Sequence, residues 1–274
     1  MIKYMRVSGV TVDNATGLST VTRTPEGIAM GAIPEWDMLI DPAFVDGSQS
    51  SVRDRAKPNS FGVSFGTSIN PAIQTGQFEN GEPAIQRANG NQDGTGFILP
   101  ATVNPDAWTL FFVVRVTSDN TSAAMRIFAN ASSLSGDGKI GLYVAISGGS
   151  SLGNNLTLFE QFNGIGGPLS VTRLQASVNL TDDVAPSLLM VTFSTKLGTS
   201  IYKNGTRLAA NANDKRPLTI GLNSGENNAL INSTGRYGYM GLINSDLNAT
   251  ENTGHRRAIE KFLMAKYDIP EGAQ

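Results

Sequence analysis

SLLMVTFSTKLGTSIYKNGTRL, residues 187–208, contains the strongest structural signal in this chain. Two runs rich in β-branched and apolar residues, Leu188–Ser194 and Thr199–Tyr202, are joined by a short polar linker. The second run turns back at Asn204-Gly205, a dipeptide that tolerates the positive φ angles of a type I′ hairpin turn. A helix would need apolar residues spaced by three and four throughout the stretch, and Asn-Gly would interrupt it. The stretch therefore predicts consecutive antiparallel strands.

Comparable strand patterns extend in both directions from this stretch. Trp108–Val116 is apolar on both faces, which is typical of a central strand, whereas Ile140–Ile146 alternates as a half-buried strand does. Further strands are predicted at Pro83–Arg87, Gly96–Leu99, Met125–Ala129, Leu156–Phe162, Ser170–Val178, Leu218–Leu222 and Tyr237–Ile243. Turn signals separate these runs at intervals of roughly 10–20 residues, so the fold class expected is an all-β, two-sheet antiparallel sandwich.

One helix is predicted at the C-terminal end, over residues 254–267. Ala258, Ile259, Phe262 and Leu263 recur at intervals of three and four, and Pro270 cannot continue the helix. Ile259 and Phe262 are expected to be buried. This helix should pack on the sandwich or cover one edge of a sheet.

The composition argues against several classes of protein. The 274 residues include no cysteine, which excludes disulfide and thiolate chemistry, and the net charge of −2 lacks the basic patch expected of a nucleic-acid binder. His255, the only histidine, stands at the start of the predicted helix and is interpreted as a solvated residue. No cofactor and no metal site is predicted.

Two features of the sequence concern where the protein is made. Residues 1–12 carry Lys3 and Arg6 but no apolar core of a signal peptide, and no apolar run approaches the roughly 20 residues of a membrane helix. The chain is therefore expected to be made in a cytoplasm, without membrane insertion.

Residues 1–34 differ from the rest of the chain. Their apolar residues are scattered among turn residues, which indicates one or two short strands or an extended arm. Such an arm could attach the protein to a partner, or it could be an edge strand of the same domain. The domain proper is predicted over residues 35–274, and its proline- and glycine-rich part, residues 41–107, is a candidate binding surface because exposed loops often carry function.

Four segments together resemble a known family: the aromatic-led strand WTLFFVV at 108–114, the hairpin IYKNGT at 201–206, the strand GYMGLI at 238–243 and the helix RAIEKFLMAKYDI at 257–269. The chain resembles concanavalin A-like lectin/glucanase jelly rolls of the laminin-G-like type, which occur in phage and bacterial surface proteins. The resemblance covers roughly residues 35–270. It implies two curved sheets and, in many members, glycan binding; some members bind calcium and some relatives hydrolyse β-glucans.

This sequence departs from the family pattern at the catalytic and calcium positions. Glucanase relatives place paired carboxylates at alternating positions on one strand, so that both face the scissile bond. Here Glu160 stands alone between Phe159 and Gln161, and no Asp-x-Asp-x-Asp run is present. No catalytic and no metal-binding residue is therefore predicted.

Exposed aromatic residues are the candidate glycan-binding residues, since their rings can stack on sugars. They are Trp36, Tyr143, Tyr202 and Tyr237. Packing within the core or on a sheet face is the alternative role for each of them. Tyr202 is the most informative, because it follows Ile201 in the strand and should face the opposite side of the sheet.

The function predicted from these observations is a non-enzymatic virion surface protein of a bacteriophage. It would act in a tail fibre, in receptor binding or in capsid decoration, displaying a lectin-like domain that binds host surface glycan. Its partners would be other virion proteins, contacted through residues 1–34, and further copies of itself as a homo-oligomer. The alternatives are a polysaccharide-degrading glycosidase or depolymerase and a bacterial carbohydrate-binding module.

Overall fold

A computed structural model describes most of the chain. The described residues are 24–46, 51–57, 61–65, 73–87, 96–100, 103–115, 125–131, 141–147, 155–164, 167–180, 185–217, 226–230 and 235–271. The first elements are α1 (Pro25–Gly31), β1 (Trp36–Asp46), β2 (Ser51–Asp54), β3 (Phe61–Phe65), β4 (Ile73–Gln77), β5 (Pro83–Arg87), β6 (Gly96–Pro100), β7 (Ala107–Arg115) and β8 (Met125–Ala131).

The remaining elements complete the sheets and add the terminal helix. They are β9 (Gly141–Ser147), β10 (Asn155–Gly164), β11 (Gly167–Ser177), β12 (Ser187–Ser194), β13 (Gly198–Lys203), β14 (Thr206–Asn211), β15 (Glu226–Leu230), β16 (Arg236–Ile243), a 3₁₀ turn (Thr250–Asn252) and α2 (Thr253–Lys266). The fold is therefore the predicted all-β antiparallel sandwich with one C-terminal helix. The strand predicted at Leu218–Leu222 lies outside the described residues.

The described strands pair along one continuous path, β11-β10-β9-β8-β15-β6-β3-β2-β1-β16-β7-β12-β13-β14, and β5 joins β16 while β4 joins β5. Every described pairing is antiparallel, for example β7 with β12 and β12 with β13. The two halves of this path fold over one another, so that β11 lies close to β13 and β14. The result is two sheets with a shared core between them.

The core between the sheets is formed by alternate residues of facing strands. Leu110 and Phe112 of β7, together with Val191 of β12, meet Val144 of β9 and Leu156 of β10 in one buried cluster. Each of these five side chains has no exposed surface. Burial of apolar area on this scale is the principal force holding the two sheets together.

The central sheet also buries its opposite face, and helices cover that face. Phe111 of β7 and Met190 of β12, which point away from the inter-sheet core, pack in a second cluster with Ile259 and Leu263 of α2. This double burial explains why β7 and β12 are apolar at nearly every position instead of alternating. Among the described residues, no helix has both the length and the apolar character needed to cross a bilayer.

The hairpin at Asn204-Gly205 has the predicted two-residue form. Both residues have positive φ angles, 50° and 79°, and Lys203 pairs with Thr206 across the turn. The Asn204 side chain accepts a hydrogen bond from the Leu188 N–H at 2.9 Å, and the Asn204 N–H donates to the Leu188 carbonyl. These bonds fix the hairpin tip on the neighbouring strand β12.

Part of the segment predicted as an arm is helical. Pro25–Gly31 forms α1, whose start is capped by Thr24: its hydroxyl oxygen accepts the Gly27 N–H at 3.1 Å. Met30 and Ile33 belong to the buried cluster beneath α2, so the expectation of short strands is wrong for these residues. Residues 1–23 lie outside the described residues, and the attachment role of residues 1–34 stays a prediction.

Helix α2 confirms one burial prediction fully and another in part. Ile259 has no exposed surface, as expected. Phe262 is only partly buried: its ring meets Tyr239 edge to face at 5.9 Å and lies beside Gly27 of α1. The prediction that Phe262 is buried is therefore met only in part: its side chain packs against the second cluster but remains partly exposed.

Candidate functional site

Two adjoining grooves lie where the β13–β14 hairpin approaches α2. The smaller, of about 380 Å³, is called the arginine groove and is lined by Tyr202, Gly205, Thr206, Arg207, Asn248, Thr253, Arg256 and Arg257. The larger, of about 520 Å³, is called the mixed groove. Gly205, Thr206 and Arg257 line both, so the two grooves form one continuous concave surface.

The register of the hairpin places two side chains of the arginine groove next to one another. Tyr202 of β13 pairs directly with Arg207 of β14, and directly opposite residues share one face of an antiparallel pair. The Tyr202 ring is almost fully buried, and the Arg256 guanidinium lies 4.6 Å from its centroid. The Tyr202 hydroxyl donates to the Asn248 side-chain oxygen, which connects the hairpin to the loop before α2.

The arginine groove has more positive than negative groups in its ion pairs. Arg256 and Arg257 both donate to the Glu260 carboxylate, at 2.8 and 2.9 Å, so that one carboxylate serves two guanidinium groups. Arg207 is exposed and forms no ion pair with a described residue. Burial raises the pKa of Tyr202, and the nearby positive charge of Arg256 only partly opposes this effect.

Asp246 is the other carboxylate that acts on Tyr202, and it too raises the pKa of this phenol. Its two oxygens accept hydrogen bonds from the Ser194 hydroxyl at 2.6 Å and from the Asn248 N–H at 2.8 Å. Asp246 is buried and does not line the arginine groove. The lining of that groove therefore contains three arginines and no carboxylate.

The mixed groove has a different character. Its charged lining comprises Glu26, Arg257, Glu260, Lys261, Asp268 and Glu271, and Met264 and Ile269 add apolar surface. Carboxylates accept hydrogen bonds from hydroxyl groups, whereas arginine and lysine only donate. This groove can therefore hydrogen-bond a polyhydroxylated molecule, while the arginine groove beside it favours negative charge.

The structure does not bring the four predicted glycan-binding aromatics together. Tyr202 lines the arginine groove and faces away from Ile201, as the strand alternation predicts. Tyr237 has no exposed surface and lies in the inter-sheet core, so its ring cannot stack on a sugar. Trp36 is partly buried against Phe111, with ring centroids 5.8 Å apart. Tyr143 lies in β9, and its side chain is outside the described part of the structure.

Several groups that could suggest catalysis have structural partners instead. Asp41 accepts hydrogen bonds from the Arg55 guanidinium at 2.6 Å and from the Tyr239 hydroxyl, and burial strongly raises the pKa of Tyr239. Asp54 accepts the N–H groups of Leu39 and Ala56. Within the described ranges, no three histidine, aspartate or glutamate side chains are grouped closely enough to hold a metal ion.

The sequence analysis missed the arginines of the candidate site. Two adjacent arginines, Arg256-Arg257, are too few to form the basic patch of a nucleic-acid binder, and no motif in the sequence connects them with an anion site. The pairing of Tyr202 with Arg207 could have been derived, since a two-residue Asn-Gly turn fixes the register of the strands that flank it. The approach of α2 to the hairpin could not be derived from the sequence, because no short-range pattern connects residues 202–207 with residues 253–257.

Comparisons with known proteins identify a shared fold. No protein-family model and no curated protein sequence matches the chain. Among solved structures, the chain is similar to the receptor-binding domain of botulinum neurotoxin type G, with a TM-score of 0.51 and 15% identity over 83% of this chain and 51% of that one. The chain thus spans about half the length of that domain.

Two further structures show the same likeness. The binding domain of Paraclostridial Mosquitocidal Protein 1 gives a TM-score of 0.53 at 11% identity, over 83% of this chain and 52% of that one. The binding domain of botulinum neurotoxin DC in complex with SialylT also gives 0.53 at 11% identity, over 85% and 52%. The shared feature is the β-sandwich fold. The finer concanavalin A-like assignment stays a prediction.

Proposed function

We propose that this chain is a non-enzymatic, glycan-binding protein of a bacteriophage virion, acting as a tail-fibre, receptor-binding or capsid-decoration protein. The observation that carries the binding role is the concave surface formed by the arginine groove and the mixed groove. It is supported by the likeness of the fold to toxin binding domains, one of which was solved in complex with SialylT. Tyr202 and the side chains of α2 would form the wall of the site.

The absence of hydrolytic activity is part of this proposal. The mixed groove contains carboxylates, but Glu260 is held by two arginines and is almost fully buried. A general acid of a glycosidase instead needs a raised pKa and a free approach to the glycosidic oxygen. Both Glu260 oxygens already accept hydrogen bonds from arginines, Oε1 from Arg256 and Oε2 from Arg257, so this carboxylate is not free to approach a glycosidic oxygen.

One binding experiment tests both parts of the proposal. Purified protein is incubated with capsular polysaccharide and with lipopolysaccharide from the host bacterium, and binding is measured by biolayer interferometry. The size distribution of the polysaccharide is followed by gel filtration in parallel. Binding with unchanged polysaccharide length is expected. Release of oligosaccharides that disappears when one groove carboxylate is changed to its amide would establish the depolymerase alternative.

The virion location requires its own measurement. We propose that the protein is made in the host cytoplasm and lies on the particle surface, attached through its N-terminal segment. Antibodies against the chain should label purified particles in immunoelectron microscopy. Their failure to label particles, together with labelling of the bacterial surface, would favour the bacterial carbohydrate-binding module.

The attachment role of residues 1–34 is tested by two deletions. Removing residues 1–34 also removes Met30 and Ile33, which are buried beneath α2, so the sandwich itself should lose stability. Removing only residues 1–23 keeps α1 and its Thr24 cap. The shorter deletion should therefore fold normally, yet fail to join particles or self-associate. Normal incorporation and self-association of this variant would contradict the attachment role.

A further inference from the structure

Three arginines, Arg207, Arg256 and Arg257, line the arginine groove. The ion pairs and hydrogen bonds within the described residues satisfy them only in part. Arg256 is 8% exposed, and its guanidinium is held between the Tyr202 ring and Glu260. The Nε atom of Arg256 has no hydrogen-bond partner among the described residues. A buried N–H without an acceptor is costly, so a ligand that offers an acceptor oxygen to Arg256 Nε would be favoured here.

The other two arginines increase this excess of positive charge. Arg257 shares Glu260 with Arg256, and half of its side chain is exposed. Arg207 lines the same groove from the hairpin side without an ion-pair partner in the described part of the chain. Guanidinium groups bind carboxylate, phosphate and sulfate oxygens through charge-assisted hydrogen bonds in a fixed planar geometry.

We propose that the arginine groove binds the anionic group of an acidic glycan, with Arg207 and Arg257 as its principal contacts. This inference rests on the proposed glycan-binding function and specifies the class of sugar. The anion is a carboxylate, a phosphate or a sulfate carried by one sugar unit. Arg256 is a positioning residue that holds the Tyr202 ring and contributes charge from beneath.

The different linings of the two grooves determine how a bound oligosaccharide is oriented. The two grooves meet at Gly205, Thr206 and Arg257, so an oligosaccharide can extend from one into the other. Its acidic unit lies in the arginine groove, whose lining has three arginines and no carboxylate; the single charge of Glu260 behind Arg256 and Arg257 leaves a positive excess. A neighbouring neutral unit lies in the mixed groove, where carboxylates accept its hydroxyl groups.

The test uses pairs of oligosaccharides that differ only in charge. Each pair has a charged member and a neutral counterpart. A uronic-acid oligosaccharide is compared with its carboxyl-reduced form. A phosphorylated oligosaccharide and a sulfated oligosaccharide are compared with their dephosphorylated and desulfated forms. Binding to the full chain is measured by isothermal titration calorimetry at low and at high salt. At least one charged member should bind, more weakly at high salt, and its neutral counterpart at least about tenfold more weakly.

Variants locate the site. Arg207→Gln should weaken binding of the charged oligosaccharide by about tenfold or more, since a hydrogen bond between charged groups is lost. Lys196→Gln, in the exposed turn between β12 and β13, removes the same charge away from the groove and should leave binding unchanged. Circular dichroism should show both variants folded, because neither side chain is buried.

The outcomes separate this inference from the proposed function. Equal binding of charged and neutral members, or an equal effect of the two variants, would overturn the acidic-ligand inference and leave glycan binding intact. Lack of binding to any charged or neutral oligosaccharide and to the host polysaccharides would overturn both.

Discussion

Replacement of Gly241 by alanine tests the packing of the helix-covered face of the central sheet. A Cβ atom at this position would lie 2.5 Å from Phe111 Cζ and 2.9 Å from Trp36 Cζ3, whereas carbon atoms in contact are separated by about 3.5–4.0 Å. Phe111 is directly opposite Gly241 in β7 and has no exposed surface. Its ring therefore cannot escape the added methyl group by moving into solvent.

The expected loss follows from this overlap. One extra methyl group in a filled core costs about 1–3 kcal/mol of unfolding free energy, which corresponds to a fall in melting temperature of roughly 2–12 °C for a chain of this size. Urea unfolding, followed by far-UV circular dichroism and tryptophan fluorescence, measures the loss. Gly31→Ala is the matched control: no atom lies within 4 Å of its added Cβ, so its stability should be unchanged or slightly higher.

A double variant isolates the cause. Phe111→Leu removes the ring that opposes the added methyl group, so Gly241→Ala should cost less in that background. The two changes should be coupled by at least about 0.5 kcal/mol. Wild-type stability of Gly241→Ala, or strictly additive losses in the double variant, would refute the assignment of this face as a filled aromatic core.

Two further predictions concern α2 and one buried carboxylate. Ile259→Ala should cost about 2–5 kcal/mol in urea unfolding, and Phe262→Ala should cost less because its ring is only partly buried; the reverse order would show that α2 is rotated from its described position. Burial raises the pKa of Asp54 in the folded state above its ordinary value of 3.8. Between pH 3.8 and the raised pKa, Asp54 is therefore protonated more often in the folded than in the unfolded chain. The unfolding free energy contributed by Asp54 consequently falls as the pH rises through this window. Asp54→Asn keeps the acceptor oxygen for Leu39 and Ala56 and should remove this fall when urea midpoints are compared at pH 4 and pH 7; an unchanged pH dependence would contradict the assignment.

Local sequence patterns predicted much of the strand framework. Pro83–Arg87 has the predicted bounds, and the Asn204-Gly205 hairpin has the predicted turn. These two predictions are confirmed because the alternation of side chains along a strand and the conformational preferences of turn residues both act between near neighbours in the sequence. Helix α1 was missed although Thr24-Pro25 is a recognisable helix start, with a capping hydroxyl followed by proline at the first helical position.

The candidate site depended on contacts that no local pattern contains. The continuous apolar runs of β7 and β12 indicated burial on both faces, but they did not identify α1 and α2 as the cover. Strand alternation predicts that Tyr202 faces away from Ile201, and it does, whereas Tyr237 was a candidate only as an aromatic residue and lies in the inter-sheet core. Both tyrosines are buried, Tyr237 between the sheets and Tyr202 on the helix-covered face; which face covers each ring is determined by the tertiary packing.

The pairing of β1 with β16 has a consequence for biosynthesis. The first described strand borders the last, and the Tyr239 hydroxyl bonds to Asp41, 198 residues earlier. A ribosome therefore releases β1 and β7 long before β16, which lies between them, has been made. Until then β7 is paired only with β12, and the strand edge that β16 completes stays open, so nascent chains should need chaperone protection and closure of the sheet should be a slow step.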